Sequence, residues 1–188
     1  MEQYQVTLYS VGHGTRTAAA FASILRSFAI QHLADIRSYP GSKRNPHLRQ
    51  EPLRESVGQA KISYTWIPHL GGLRRTGLGP QSPHQALTSG AFRNYADHMD
   101  SPEFVAAVQQ LLRLAKMGRT CFMCAETAPQ RCHRFLLADY LFVQGVQVIH
   151  ILERDRSSLH HLSLHATIRQ GRLIYACPGH GQIALESP

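Results

Sequence analysis

Acidic residues are scarce in this chain. Twelve Asp and Glu stand against 20 Lys and Arg in 188 residues, for a formal net charge of +8 and a pI near 9.7. Such an imbalance favours phosphate-bearing or otherwise anionic partners and says nothing about fold. Cysteine is scarce too. Four in a chain of this length are too few for a disulfide framework. Long apolar runs are missing, and none approaches the roughly 18 residues of a membrane span. The N-terminal Met-Glu-Gln-Tyr-Gln has no basic region followed by an apolar one, so no signal peptide is expected. These absences predict a cytoplasmic protein with free thiols and no membrane contact. A hydrophobic content of 43% excludes a largely disordered chain.

What is present alternates. Val6 to Val11 reads as a strand and ends at Gly12-His13-Gly14. Thr17 caps a helix with Phe21, Ile24, Leu25 and Phe28 on one face. Further strands are expected at Ile30–Ile36, Ile62–Ile67, Thr120–Ala125 and Val146–Leu152. Helices are expected at Leu48–Ala60, Ala91–His98, from Pro102 to about Met117, and from near Arg131 to Val143. A hairpin turning at Gln170-Gly171 follows. The pattern predicts an α/β, Rossmann-like fold: a mostly parallel sheet flanked by helices, with a C-terminal β-hairpin. Residues 1–152 form the expected α/β domain. Residues 153–188 form a hairpin and tail packed on it or extending from it.

In such sheets ligands sit beyond the carboxyl ends of the strands. The polar clusters here fall there. Gly12 and His13 follow the first strand, Asp35 and Arg37 the second, His69 the third, and Glu126 the fourth. Asp35 and Glu126 are the candidate catalytic carboxylates, able to orient or activate water. Ion pairing with Arg37 or Arg131 is the competing structural reading.

The densest cluster runs from Cys121 to Arg134. Strand alternation sends Cys121 and Cys124 to opposite faces, which speaks against a shared metal. Cys124, Cys132 and His133 remain a conceivable ligand set, but no second ligand pair accompanies them. No metal and no cofactor is therefore expected. Arg131, Cys132, His133 and Arg134 open a helix, where backbone N–H groups attract anions, so they read as a phosphate cradle. A reactive Cys132 thiolate is the alternative.

Positive charge concentrates between Arg37 and Arg75. Arg37, Lys43, Arg44, Arg49, Arg54, Lys61, Arg74 and Arg75 stand against Glu51 and Glu55, a local net of +6. Tyr39, Tyr64, Trp66 and His69 interleave with them. Lys43, Arg44, Arg49, Arg74 and Arg75 suit a nucleic-acid backbone, and Tyr39 or Tyr64 suits base stacking.

Several segments together resemble a known family. They are Gly12-His13, Leu33-Ala34-Asp35-Ile36-Arg37 with Pro40, Leu70-Gly71-Gly72, Phe92-Arg93-Asn94-Tyr95-Ala96, Met123-Cys124-Ala125-Glu126 and Cys132-His133-Arg134. The chain resembles domain-of-unknown-function family 488 from about Tyr9 to Leu152. The resemblance implies one compact cytoplasmic α/β domain and no stated activity. The usual first motif has Ser after the His, where this chain has Gly14.

The expected function is a nucleic-acid-directed enzyme, most concretely a hydrolase of N-glycosidic bonds in damaged DNA. Asp35 or Glu126 would act on water, with a basic face holding DNA or another phosphate-bearing partner. The alternatives are a non-catalytic nucleic-acid-binding module and a thiol-dependent enzyme on a small anionic metabolite.

Overall fold

The alternating apolar positions of Val6–Gly12 form strand β1, with Leu8 and Val11 buried on opposite faces. The computed structural model describes residues 6–176. The N-terminal pentapeptide read for a signal peptide, Cys177 and the rest of the tail lie outside the described residues.

The order continues with α1 (Ala18–Ser27), β2 (His32–Asp35), α2 (Gln50–Gln59), β3 (Ser63–Trp66), α3 (Gly90–His98) and α4 (Pro102–Met117). Then come β4 (Thr120–Cys124), α5 (Arg134–Val143), β5 (Val146–Glu153), β6 (Arg156–Leu159), β7 (Ala166–Arg169) and β8 (Arg172–Tyr175). The helix starts follow local chemistry. The Thr17 hydroxyl accepts from Ala20 N at 3.2 Å, and Ser101 caps α4 ahead of Pro102.

The fold is the α/β architecture expected. Six strands pair in the order β3-β2-β4-β1-β5-β6, all parallel except β6. β6 has no counterpart in the sequence reading, because Arg156–Leu159 is exposed along its length and shows no alternation. β7 and β8 form a separate antiparallel pair. Their turn places Gln170 at φ 51° and Gly171 at φ 77°, the two left-handed residues that a tight hairpin needs.

Helices cover both faces of the sheet. Phe21, Ile24 and Leu25 of α1 and Leu53 and Val57 of α2 pack on Val11, Leu33, Cys121 and Met123. Tyr95 of α3, Phe104, Val108 and Leu111 of α4 and Leu137 and Leu141 of α5 pack on Leu8, Ala34 and Phe122. Leu173 and Tyr175 of β8 join that second core, which seats the hairpin on the domain.

This winding fixes where a ligand fits. β1 and β4 are neighbours, yet α1 leaves β1 towards one face and α5 follows β4 on the other. The chain therefore diverges beyond Gly12 and Cys124. Such a switch point opens a crevice at the carboxyl ends of the strands.

Candidate active site

The crevice is a cleft of about 560 Å³, within the size range of small-molecule sites. His13, Gly14 and Thr15 line it after β1, Arg37 and Tyr39 after β2, and Ala125, Glu126 and Thr127 after β4. The loop from Gly41 to Asn45 completes it with Lys43 and Arg44. The cleft thus gathers Glu126, His13, Arg37, Tyr39, Lys43 and Arg44 of the residues singled out in the sequence. Ser42, Asn45, Thr15 and Thr127 join them without a sequence signal beyond their neighbours.

The loop carrying Glu126 is held from beneath. Arg134 is buried at the start of α5. Its NH1 donates to the Glu126 carbonyl, and its NH2 donates to the Thr127 carbonyl at 2.6 Å. Gly12 lies under the same peptide. A Cβ there would fall 1.7 Å from the Glu126 carbonyl oxygen and 2.8 Å from Arg134 NH1, so only glycine fits. Glu126 itself is exposed at the cleft mouth.

Asp35 is different. It is fully buried, and three groups converge on it. Arg37 donates through Nε and NH2 at 2.5–3.0 Å, Arg37 N at 3.0 Å, and the Tyr64 hydroxyl at 2.6 Å. Arg37 NH1 also donates to the Leu48 carbonyl at 2.8 Å and to His13 Nε2 at 3.2 Å. The structural ion-pair reading therefore describes Asp35 better than the catalytic one, because its oxygens face Arg37 and Tyr64 rather than the cleft. Arg37 is likewise tied into the fold rather than left to hold phosphate. Burial, then the neighbouring Arg37 charge, outweigh the Gly14 carbonyl and pull His13 down to about 4. The ring is neutral near pH 7, with Nδ1–H donating to the Gly14 carbonyl at 2.8 Å. Both ring nitrogens are occupied, so His13 shapes the cleft wall.

The remaining expected contacts divide. Tyr39 is 84% exposed and free to stack. Tyr64 is engaged by Asp35, with Arg54 over its ring at 5.5 Å. The Trp66 Nε1–H donates to the Arg37 carbonyl at 2.8 Å. Arg49 is exposed and donates to the Ser42 carbonyl, behind the cleft loop. Lys61 sits before β3, at the opposite rim of the sheet. Arg74 folds onto the His69 carbonyl at 2.8 Å, and Arg75 and His69 are exposed on that separate loop. The +6 segment is thus dispersed in space, because its cations fall on the cleft loop, on α2, ahead of β3 and on the loop after β3. Arg131 is exposed outside the cleft lining, and buried Arg134 binds carbonyls. The expected phosphate cradle at Arg131–Arg134 is therefore not formed as a unit.

The cysteine cluster lies behind this site. Cys124 and Cys121 point to opposite faces, as strand alternation requires. The Sγ atoms of Cys124 and Cys132 lie 3.9 and 3.6 Å from His133 Nδ1. A hydrogen bond from Cys124 brings the Cys132 thiol down to about 7, helped by the Arg134 charge and backbone N–H and opposed by burial. The same pairing, with burial, pushes Cys124 up. Leu70-Gly71-Gly72 closes over the cluster. A Cβ on Gly71 would meet Ser38 Oγ at 2.2 Å, and one on Gly72 would meet His133 Nδ1 at 2.4 Å. Tyr95 braces this lid by donating to the Leu70 carbonyl at 3.1 Å, and its ring meets His133 edge-on at 5.0 Å. Among the described residues no helix is long and apolar enough to cross a membrane.

A second buried network is invisible in the sequence. Ser10, His150, His160, Asp139 and Tyr175 form one chain of hydrogen bonds between 2.6 and 3.0 Å, all buried. Its members come from five separate segments, so no local motif marks it.

Comparison with known proteins places these motifs. Neither the curated proteins nor the solved structures contain a match to the chain. A family model described as domain of unknown function DUF488 matches residues 17–141. That span takes in Asp35, the Gly71-Gly72 lid, Tyr95 and the Cys124–Arg134 cluster, well over half of the chain, and the protein belongs to the DUF488 family.

Proposed function

We propose that this protein is a hydrolase acting on nucleic acid, most concretely at the N-glycosidic bond of a damaged base. One observation carries the reading. A single cleft at the β1/β4 switch point joins an exposed carboxylate, Glu126, an exposed aromatic ring, Tyr39, and the exposed cations Lys43 and Arg44. Those are the groups that an enzyme working on an extruded base needs.

Lys43 and Arg44 hold the phosphates flanking the target nucleotide, and Tyr39 stacks on the extruded base. The Glu126 carboxylate takes a proton from water as the water oxygen bonds to C1′. The C1′–N bond breaks, and the base leaves with the bonding electrons and takes up a proton. Asp35 positions the site by holding Arg37, which in turn orders His13 and the Leu48 carbonyl. This activity belongs in the cytoplasm, where Cys121, Cys124 and Cys132 stay reduced.

A panel of single- and double-stranded oligonucleotides with damaged bases tests the reading, with Glu126→Gln as control. Base release by the wild type but not by the variant supports it. A non-catalytic binding module is the second reading, because the same cations and ring would serve it. That reading predicts equal binding by both proteins and no release by either. A thiol enzyme has less support, since Cys124 and Cys132 are absent from the cleft lining.

A further inference from the structure

We propose that Cys124, Cys132 and His133 form a binding site for one thiophilic d10 cation, copper(I) or zinc(II). The ligand atoms are already gathered. Two sulfurs and one imidazole nitrogen all lie within 4.8 Å of one another, and all three residues are at least nine-tenths buried.

The spacing fits an ion as well as it fits hydrogen bonds. His133 Nδ1 is 3.6 Å from Cys132 Sγ and 3.9 Å from Cys124 Sγ. With metal–sulfur and metal–nitrogen bonds of about 2.3 and 2.05 Å, these separations correspond to N–metal–S angles of about 112° and about 127°. Those values bracket trigonal geometry and reach towards tetrahedral. His133 has no stronger partner. Its Nε2 is buried with no hydrogen bond, and Nδ1 faces only the two sulfurs among its hydrogen-bond partners.

Charge and access agree. Two thiolates with copper(I) carry one negative charge, and with zinc(II) none. The buried guanidinium of Arg134, at the next residue, offsets the first case. Gly72 closes the site against His133, leaving little room beside the imidazole. Soft sulfur donors select copper(I) and zinc(II) over hard cations. Cys121 takes no part, because it points to the other face of the sheet. The site lies outside the cleft, so its test is independent of the hydrolase reading.

The full-length protein, stripped of metal and reduced under anaerobic conditions, is offered copper(I) in one arm and zinc(II) in the other. Each arm is run against a chromophoric chelator, and X-ray absorption then counts the ligands. The expected result is one ion per chain in at least one arm, bound by two sulfurs and one nitrogen. A three-coordinate spectrum identifies copper(I), and an added water oxygen identifies zinc(II). Cys132→Ser and His133→Gln should each weaken binding by more than about 100-fold, since loss of an outer-shell partner alone costs 10–100-fold. Cys121→Ser should leave it unchanged. Circular dichroism checks each variant's fold, and the wild-type ligand count stands even if a variant unfolds. Absence of stoichiometric binding in both arms, or binding that survives Cys132→Ser in a folded protein, overturns the proposal.

Discussion

Arg134 holds Glu126 by its main chain and leaves its carboxylate free. The guanidinium sits in the core at the start of α5 and donates to the Glu126 and Thr127 carbonyls. The exposed acid therefore stands on a buried, rigid support. Arg134→Lys keeps a charge but cannot bridge two carbonyls. It should cost about 3–5 kcal/mol in urea unfolding, the range for breaking a buried charged contact. It should also abolish base release. A variant as stable as the wild type would show that the clamp is dispensable.

Lys43 and Arg44 face the cleft, whereas Lys61 lies at the far rim. Each phosphate contact on single-stranded nucleic acid contributes about 0.7 to the slope of log affinity against log salt. Lys43→Ala with Arg44→Ala should reduce that slope by about 1.4. Lys61→Ala should leave it unchanged. Equal effects from both would place binding on the general surface charge.

Stability should fall steeply in acid. Burial above all draws His150 down to about 3, and His13 is held at about 4. Both lie below the unfolded value of 6.5. The unfolded chain then binds more protons once the pH drops below 6.5. The stabilisation is complete above that pH and is lost as pH falls towards 4 and then 3. Each group contributes up to about 1.4 kcal/mol per pH unit in that window. Urea titrations at pH 7.5 and 5 test this, and a flat profile would contradict it.

The same network ties the hairpin down. Asp139 of α5 accepts from the Tyr175 hydroxyl at 2.9 Å, from the Ser163 backbone N–H at 3.0 Å and from His160 Nε2 at 3.0 Å. The chain of hydrogen bonds runs from the Ser10 hydroxyl through His150 and His160 to Asp139. Asp139→Asn turns an acceptor into a mixed group and must break part of this chain. Limited proteolysis should then cut within the 160–176 segment before the main domain is attacked. Simultaneous loss of both would show that the hairpin is not separately released.

Two glycines make a matched pair. A Cβ on Gly72 would fall 2.4 Å from His133 Nδ1, while Gly58 on α2 faces open space. Gly72→Ala should destabilise by about 1–3 kcal/mol. Gly58→Ala should stabilise by about 0.5–1 kcal/mol, because it removes backbone freedom from the unfolded chain. Similar effects at both positions would contradict the close approach.

The fold was legible because its signals are local. The Thr17 and Ser101 caps, the Gln170-Gly171 turn and the opposite faces of Cys121 and Cys124 all follow from spacing. The strand-end rule also placed Glu126 and His13 at the cleft. Which charges stay free was not legible. Asp35 and Glu126 look alike in sequence, yet Arg37 and Tyr64 reach one and nothing comparable covers the other. The Arg37–Arg75 density misled for a similar reason, since its cations fall on the cleft loop, on α2, ahead of β3 and on the loop after β3. The Ser10–His150–His160–Asp139–Tyr175 chain depends on tertiary contacts alone.

The central claim is that Glu126 acts on water at a nucleic-acid substrate. Single-turnover base release, measured beside equilibrium binding to the same oligonucleotides, tests it most directly. Glu126→Gln should bind within about twofold of the wild type and lose at least about 100-fold in rate, the scale of general base catalysis. A variant that releases base at the wild-type rate would contradict the account.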